Sequence, residues 1–265
     1  MRVVLPSNAS LQYFPHNTLT NYTAQLAQEI KLPPGEWEVG LSEISFNKSW
    51  YNVMGGFVYL STPGEQEDIL AVIQSGYYSD MNELTQEINN QLKQESQARG
   101  SSLGDKVSFQ FNNRSRRVSV RKSLHHQIKI NVNGPLRSQL GFSDAFHNRI
   151  LYTSDIDQKY PQEVNKEFTG DENANIDTIS NIYVYSDVVQ NSHIGDVQSR
   201  LLRIVPVNKE HWAVNSRIYQ KIQYLPVSQK NIRNISIYLR TDTGEKVPFT
   251  AGKTVVTLQF RPVKA

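Results

Sequence analysis

The chain has 265 residues, 38% of them hydrophobic, and a formal net charge of +3. That suits one elaborated domain with a buried core and excludes a disordered chain. It has no cysteine, so disulfides, zinc ribbons, iron–sulfur clusters and thiol nucleophiles are excluded. No apolar stretch approaches bilayer length, and the opening "MRVVLPSNAS" lacks the make-up of a secretory signal, so membrane insertion is not expected.

In chain order the pattern is mostly strand and turn. In "NYTAQLAQEIKL" (21–32), Tyr22, Ala24, Leu26, Ile30 and Leu32 share one parity, as in a half-buried strand. The Tyr22, Leu26, Ile30 spacing also fits a helix, and Pro33-Pro34-Gly35 ends the element in both cases. "EWEVGLSEISF" then places Trp37, Val39 and Leu41 on odd positions but Ile44 and Phe46 on even ones. A strand that changes phase needs one extra residue, so a β-bulge is expected near Ser42 and Glu43. "GFVYLS" (56–61) and "DILAVIQ" (68–74) read as short strands.

One helix is clear. Met81, Leu84, Ile88 and Leu92 recur at three and four residues, Asp80 with Glu83 fits an N-terminal cap, and Gly100 lies just past the end. "KVSFQF" and "RRVSVRK" form a hairpin turning at 112–115, "HQIKINV" is a third strand, and "GPLRSQLGF" is a short helical turn. The polar stretch 155–177 is expected to be a long loop. Strands return in "NIYVYSDVV", "LLRIVPV", "SRIYQKIQYLP", "ISIYLR" and "TVVTLQF". The expected fold is mainly β: a single jelly-roll β-sandwich over 1–265, embellished by a helix-plus-hairpin insertion at 76–150.

Several stretches resemble chemistry. "TAGKTVV" contains Gly252-Lys253-Thr254, the tail of a phosphate-binding loop. The first glycine of that motif is replaced by Val247, and the residues from Val255 onward alternate as a strand, whereas a phosphate loop leads into a helix. In "GDENANID", Asp171, Asn173, Asn175 and Asp177 occupy calcium-loop positions, but Ile176 and Ile182 stand where the turn glycine and bidentate glutamate belong. Asp155 and Asp157 are neighbours in a polar stretch, His125 and His126 would point to opposite strand faces, and no nucleophile elbow exists. No catalytic set emerges, and no cofactor is expected. The densest basic patch is Arg114, Arg116, Arg117, Arg121 and Lys122, at the hairpin tip, a candidate for contact with nucleic acid or an acidic neighbouring subunit. The aromatics Trp37, Phe46, Trp50 and Tyr51 read as core, with a carbohydrate platform as the alternative.

Beyond these local readings, the chain resembles a family along nearly its whole length. The run "LPSNASLQYFPHNTLTNYTAQLAQEIKLPPGEWEVGLSEISFNKSWYNV" is similar to the start of minor capsid (penton) proteins of Polinton/Maverick elements, adintoviruses and related virophages. So are "GYYSDMNELTQEINNQL", "VSFQFNNRSRRVSV", "IYVYSDVV", "LLRIVPV" and "YLPVSQKNIRNISIYLRTDTGEKVPF", in the same order. The stretch 155–177 has no counterpart. The resemblance implies a jelly roll that assembles as a homopentamer at the vertices of an icosahedral virion, beside a double-jelly-roll major capsid protein. It implies no enzymatic site. It leaves room for non-specific contact with packaged DNA, and synthesis inside the host cell suits the absence of cysteine. The alternative function is a β-sandwich carbohydrate- or receptor-binding module.

Overall fold

The chain opens with strands β1 (Arg2–Pro6), β2 (Asn21–Lys31) and β3 (Trp37–Asn47). There follow β4 (Gly56–Ser61), β5 (Asp68–Ile73), helix α1 (Met81–Ala98), a 3-10 turn (Leu103–Lys106), β6 (Val107–Asn112), β7 (Arg117–Ser123), β8 (Lys129–Val132), helix α2 (Gly134–Gln139) and β9 (Asn165–Thr169). The last strands are β10 (Asn181–Ser186), β11 (Ser192–Ile194), β12 (Val197–Ser199), β13 (Leu201–Pro206), β14 (Val214–Ile218), β15 (Leu225–Pro226), β16 (Asn231–Arg240) and β17 (Val255–Pro262). This computed structural model describes residues 1–62, 68–123, 128–143, 165–177, 179–208 and 213–263. The chain divides into two compact units: the first comprises Met1–Trp50 and Ile179–Ala265, the second Tyr51–Thr178.

In the first unit the long strands, in chain order, are β1, β2, β3, β10, β13, β14, β16 and β17. The outermost pair with each other, β1 with β17, and the nesting continues inward: β2 with β16, β3 with β14, β10 with β13, all antiparallel. Ladders β17–β3 and β10–β16 then join these pairs into two sheets, ordered β1-β17-β3-β14 and β13-β10-β16-β2, with β15 also on β3. A nested hairpin rolled into two sheets is the jelly-roll connection. Alternation along each strand fills the space between the sheets: Val39, Leu41, Ile44, Phe46, Val256, Leu258 and Phe260 come from one, and Ile182, Val184, Ile235, Ile237 and Leu239 from the other.

The expected bulge in β3 is present. Leu41 faces Leu258 and Glu43 faces Thr257, so Ser42 is the extra residue. It lets Val39 and Leu41 before it, and Ile44 and Phe46 after it, all be fully buried. The helix-or-strand ambiguity of 21–32 resolves to strand. Tyr22 and Ala24 sit opposite Ile237 and Ile235, and both are buried. Beyond Gln25 the ladder slips, and Ala27, Gln28 and Glu29 are exposed.

The second unit holds two three-stranded sheets, β5-β4-β8 and β6-β7-β9. Helix α1 packs on β5 and β6 through Leu84, Ile88 and Leu92, which are fully buried; each such side chain contributes about 1.5–3 kcal/mol. The helix ends are closed locally. The Asp80 side chain accepts from the Glu83 backbone N–H at 2.9 Å, and the Glu83 carboxylate accepts from Ser79 N–H and Oγ–H at 2.5 and 2.6 Å. At the other end Gly100 takes a φ of 67°, Gly100 N–H donates to Gln97 O at 3.0 Å, and Ser101 N–H donates to Ser96 O at 2.9 Å. That is a Schellman cap, for which glycine is the favoured residue. The helix and hairpin singled out at 76–150 fall within this unit.

The stretch 155–177 is not a loop throughout its described part. Strand β9 pairs with β7, and the one aromatic of this part, Phe168, packs on the unit's core. The hairpin β6–β7 therefore gains β9 as its third strand, while β8 pairs with β4. The polarity of the run hid the strand, which a single hydrophobic residue, Phe168, marks.

Candidate contact surface

The basic hairpin turns through residues 113–116 between β6 and β7. Asn112 holds the turn: its Oδ1 accepts from the N–H groups of Arg114 and Ser115 at 2.9 and 3.2 Å, and its carbonyl accepts from Arg116 N–H at 2.8 Å. Arg116 sits at φ 56°, a left-handed conformation in which Gly or Asn is favoured. Its guanidinium lies over the Phe111 ring, 5.8 Å from the centroid. Backbone strain is tolerated here at a residue whose side chain carries charge.

The strand period divides the five cations. Arg114 and Arg116 are exposed at the tip and Arg117 is half-buried at the first position of β7. Arg121 shares Arg117's face, and its Nε donates to the Glu167 carboxylate on β9 at 3.0 Å. The Ser119 hydroxyl and then the Arg121 guanidinium hold the Glu167 carboxyl below its usual value. Lys122 departs from the expectation: it is 1% exposed, on the face of β7 that carries Val118 and Val120 into the core. Period-2 alternation turns it inward, so it is no part of the surface patch. Arg114, Arg116 and Arg117 are thus the cations of the hairpin with no carboxylate partner among the described residues. The alternation of Val118, Val120 and Lys122 was visible in the sequence and would have separated Lys122 from the rest.

The other motifs are placed as follows. Gly252, at φ 102°, occupies a turn against the Asn47 side chain, and β17 follows it as a strand. Val247 is buried, so the "AGKT" sequence is turn and strand entry without phosphate-loop geometry. In "GDENANID" the Asp171 carboxylate accepts from Ser143 N–H at 2.9 Å and from the Ser143 hydroxyl, and Asn175 Oδ1 accepts from Asp177 N–H at 2.9 Å. Ala174 and Ile176 between them are buried. These residues tie the segment down by hydrogen bonds within the protein. Asp155, Asp157, His125 and His126 lie outside the described residues. Among the described residues no group of three or more His, Asp or Glu could hold a metal ion, and no helix is long and apolar enough to cross a membrane.

Phe46 and Trp50 are 0% and 2% exposed, and both pack against Phe249, at 5.9 and 5.4 Å between ring centroids. They are core of the first unit and offer no platform to a sugar. Sequence reasoning missed the exposed apolar side chains at the two ends of one sheet. On edge strand β1, Val4 is 53% exposed, and on edge strand β14, Val214 and Ile218 are 61% and 74% exposed. A hydrophobic residue on an edge strand looks like core in a pattern scan, because pairing decides its fate.

The nested pairing and the two opposed sheets define the first unit as an antiparallel jelly roll. No protein-family model matches the chain, and no curated protein matches it. Among solved structures the chain is similar to the mavirus penton protein in selenomethionine-labelled form, at 13% identity and TM-score 0.49, covering 99% of each chain. It is also similar to a chain of the Sputnik virophage structure determined by cryo-EM, at 13% identity and TM-score 0.46, covering 98% of this chain and 97% of that one.

Proposed function

We propose that this protein is a structural capsid protein, the penton subunit that closes into fivefold rings at the vertices of an icosahedral virion. The observation that carries the reading is the jelly roll's uncovered sheet edges. Edge strand β1 offers Arg2 and Val4, and edge strand β14, at the opposite end of the same sheet, offers Val214, Ser216 and Ile218. Among the described residues β1 pairs only with β17, and β14 only with β3. Exposed apolar edge strands promote uncontrolled association unless a neighbour covers them. Two unlike edges suit a head-to-tail, closed ring, in which each subunit gives a different face to each neighbour. The family resemblance along the sequence supports the same role, with a double-jelly-roll major capsid protein as the second partner. The role is structural and involves no turnover.

The basic hairpin tip, with Arg114, Arg116 and Arg117, is the part of the chain we assign to contact with packaged DNA. The left-handed Arg116 supports this, because a turn selected for stability alone would carry Gly or Asn there. Electron microscopy of the purified protein tests the main reading. Class averages with fivefold symmetry are expected, and fields of single subunits at every concentration would reject it.

A further inference from the structure

The outer face of the sheet β13-β10-β16-β2 carries a groove that neither the capsid role nor the basic hairpin uses. Its floor is Tyr185 on β10 and Tyr238 on β16, which are direct cross-strand partners. Asn191, Gln198 and Ser199, at and beside the hairpin β11–β12, form one wall, and the groove is shallow and open, with a volume of about 550 Å³. Tyr238 is 38% exposed, so an aromatic face is open to a ligand.

The groove also carries charge. Arg2, Arg121 and Arg261 each pair with a glutamate at 2.9–3.0 Å. Arg200 and Arg240, which flank the two tyrosines, have no carboxylate within ion-pair distance among the described residues. Arg200 Nη1 donates only to the Asp187 carbonyl, at 3.3 Å. Among the described residues the one carboxylate lining the groove, Asp187, already accepts from Ser236 N–H through Oδ1 at 2.9 Å. Arg240 lies opposite Tyr183 in the ladder, two residues from Tyr238 on β16; burial and then Tyr183 push the Tyr185 phenol up, and the Arg240 guanidinium pulls against them.

We propose that this groove binds an acidic saccharide, a sugar carrying a carboxylate or sulfate group. Aromatic rings pack on the C–H faces of a pyranose, and the amides of Asn191 and Gln198 suit its hydroxyls. Two unpaired guanidiniums supply the forked donors that carboxylate and sulfate accept. Single-stranded nucleic acid fits less well: it needs a track of cations along its backbone, and here two cations share the groove with Asp187. Saccharide binding at this groove does not depend on the capsid role.

The test is ligand-observed saturation-transfer NMR on the full chain, with sialyllactose, a heparin hexasaccharide, lactose and an oligothymidylate. One of the two acidic sugars is expected to bind, which also tells carboxylate from sulfate, and lactose is expected to give no signal. Tyr238→Ala and Arg240→Gln should each weaken binding roughly tenfold or more, and Tyr238→Phe should retain it. Thermal melting of each variant confirms that the fold is kept. Silence from both acidic sugars would overturn the proposal. So would binding that survives both weakening substitutions, or oligothymidylate binding that these substitutions abolish while the sugars stay silent.

Discussion

Asn89 on α1 grips the backbone of Phe109 on β6 from both sides: its Nδ2 donates to Phe109 O at 2.9 Å, and its Oδ1 accepts from Phe109 N–H at 2.8 Å. A side-chain amide here copies one rung of a β-ladder and fastens helix to strand. The device recurs. Asn52 holds Tyr78 N–H and O at 2.9 and 2.7 Å, and Asn17 holds Thr23 N–H and O at 2.9 Å each. Replacing Asn89 with Ala removes both bonds and leaves two backbone groups without partners. We expect a loss of about 2 kcal/mol, read as a lower denaturation midpoint in urea. Asn89→Asp keeps only the acceptor and should lose a similar amount.

The bulge at Ser42 makes a sharper prediction. Ser42→Ala removes the hydroxyl bond to Thr257 O at 3.1 Å and should cost only about 1 kcal/mol. Deleting Ser42 shifts the phase of β3, so that one of the pairs Val39/Leu41 or Ile44/Phe46 faces outward. The deletion variant should fail to fold, shown by loss of the cooperative thermal transition. A deletion variant that melts like the parent would refute the assigned register.

Tyr22 ties stability to pH. Its hydroxyl donates to Leu5 O at 3.1 Å in the core, and burial pushes the phenol well above its ordinary value of 10.0. Below that ordinary value the phenol is protonated in both states, and its contribution is fully present. Above it the unfolded chain ionises first, so the contribution is lost as pH rises toward the folded value. Denaturation midpoints measured upward from pH 10.0 should fall more steeply for the parent than for Tyr22→Phe.

At the hairpin tip stability and function should separate. Arg116→Gly relieves the left-handed backbone and should stabilise the protein by about 1 kcal/mol, while removing one cation. If the tip contacts DNA, this variant melts higher yet is retained less on DNA, and its salt slope falls by about one for each phosphate no longer neutralised. Unchanged retention in an Arg114/Arg116/Arg117 triple alanine variant would remove the hairpin from any role with nucleic acid.

Much of this was legible in the residues. The phase change between Leu41 and Ile44 located the bulge, and the spacing of Met81, Leu84, Ile88 and Leu92 located α1, because both are local consequences of burial on one face. Lys122 was misplaced because a run of cations was read by proximity where strand alternation decides. β9 was missed because a single aromatic, Phe168, marks it within a polar run, and its partner β7 lies more than forty residues earlier. The asparagine clamps could not be foreseen, since the amide of Asn89 gains its meaning only when Phe109 is brought to it. The same holds for the groove of Tyr185 and Tyr238, which two strands far apart in sequence build together.

The central claim is assembly into a fivefold ring, and native mass spectrometry of the purified chain tests it most directly. The account predicts a species of five times the 30.3 kDa chain mass, dispersed into single subunits when Val214 and Ile218 on β14 are both replaced by Lys. A parent protein that stays at the mass of one chain, or settles as a dimer, would contradict it.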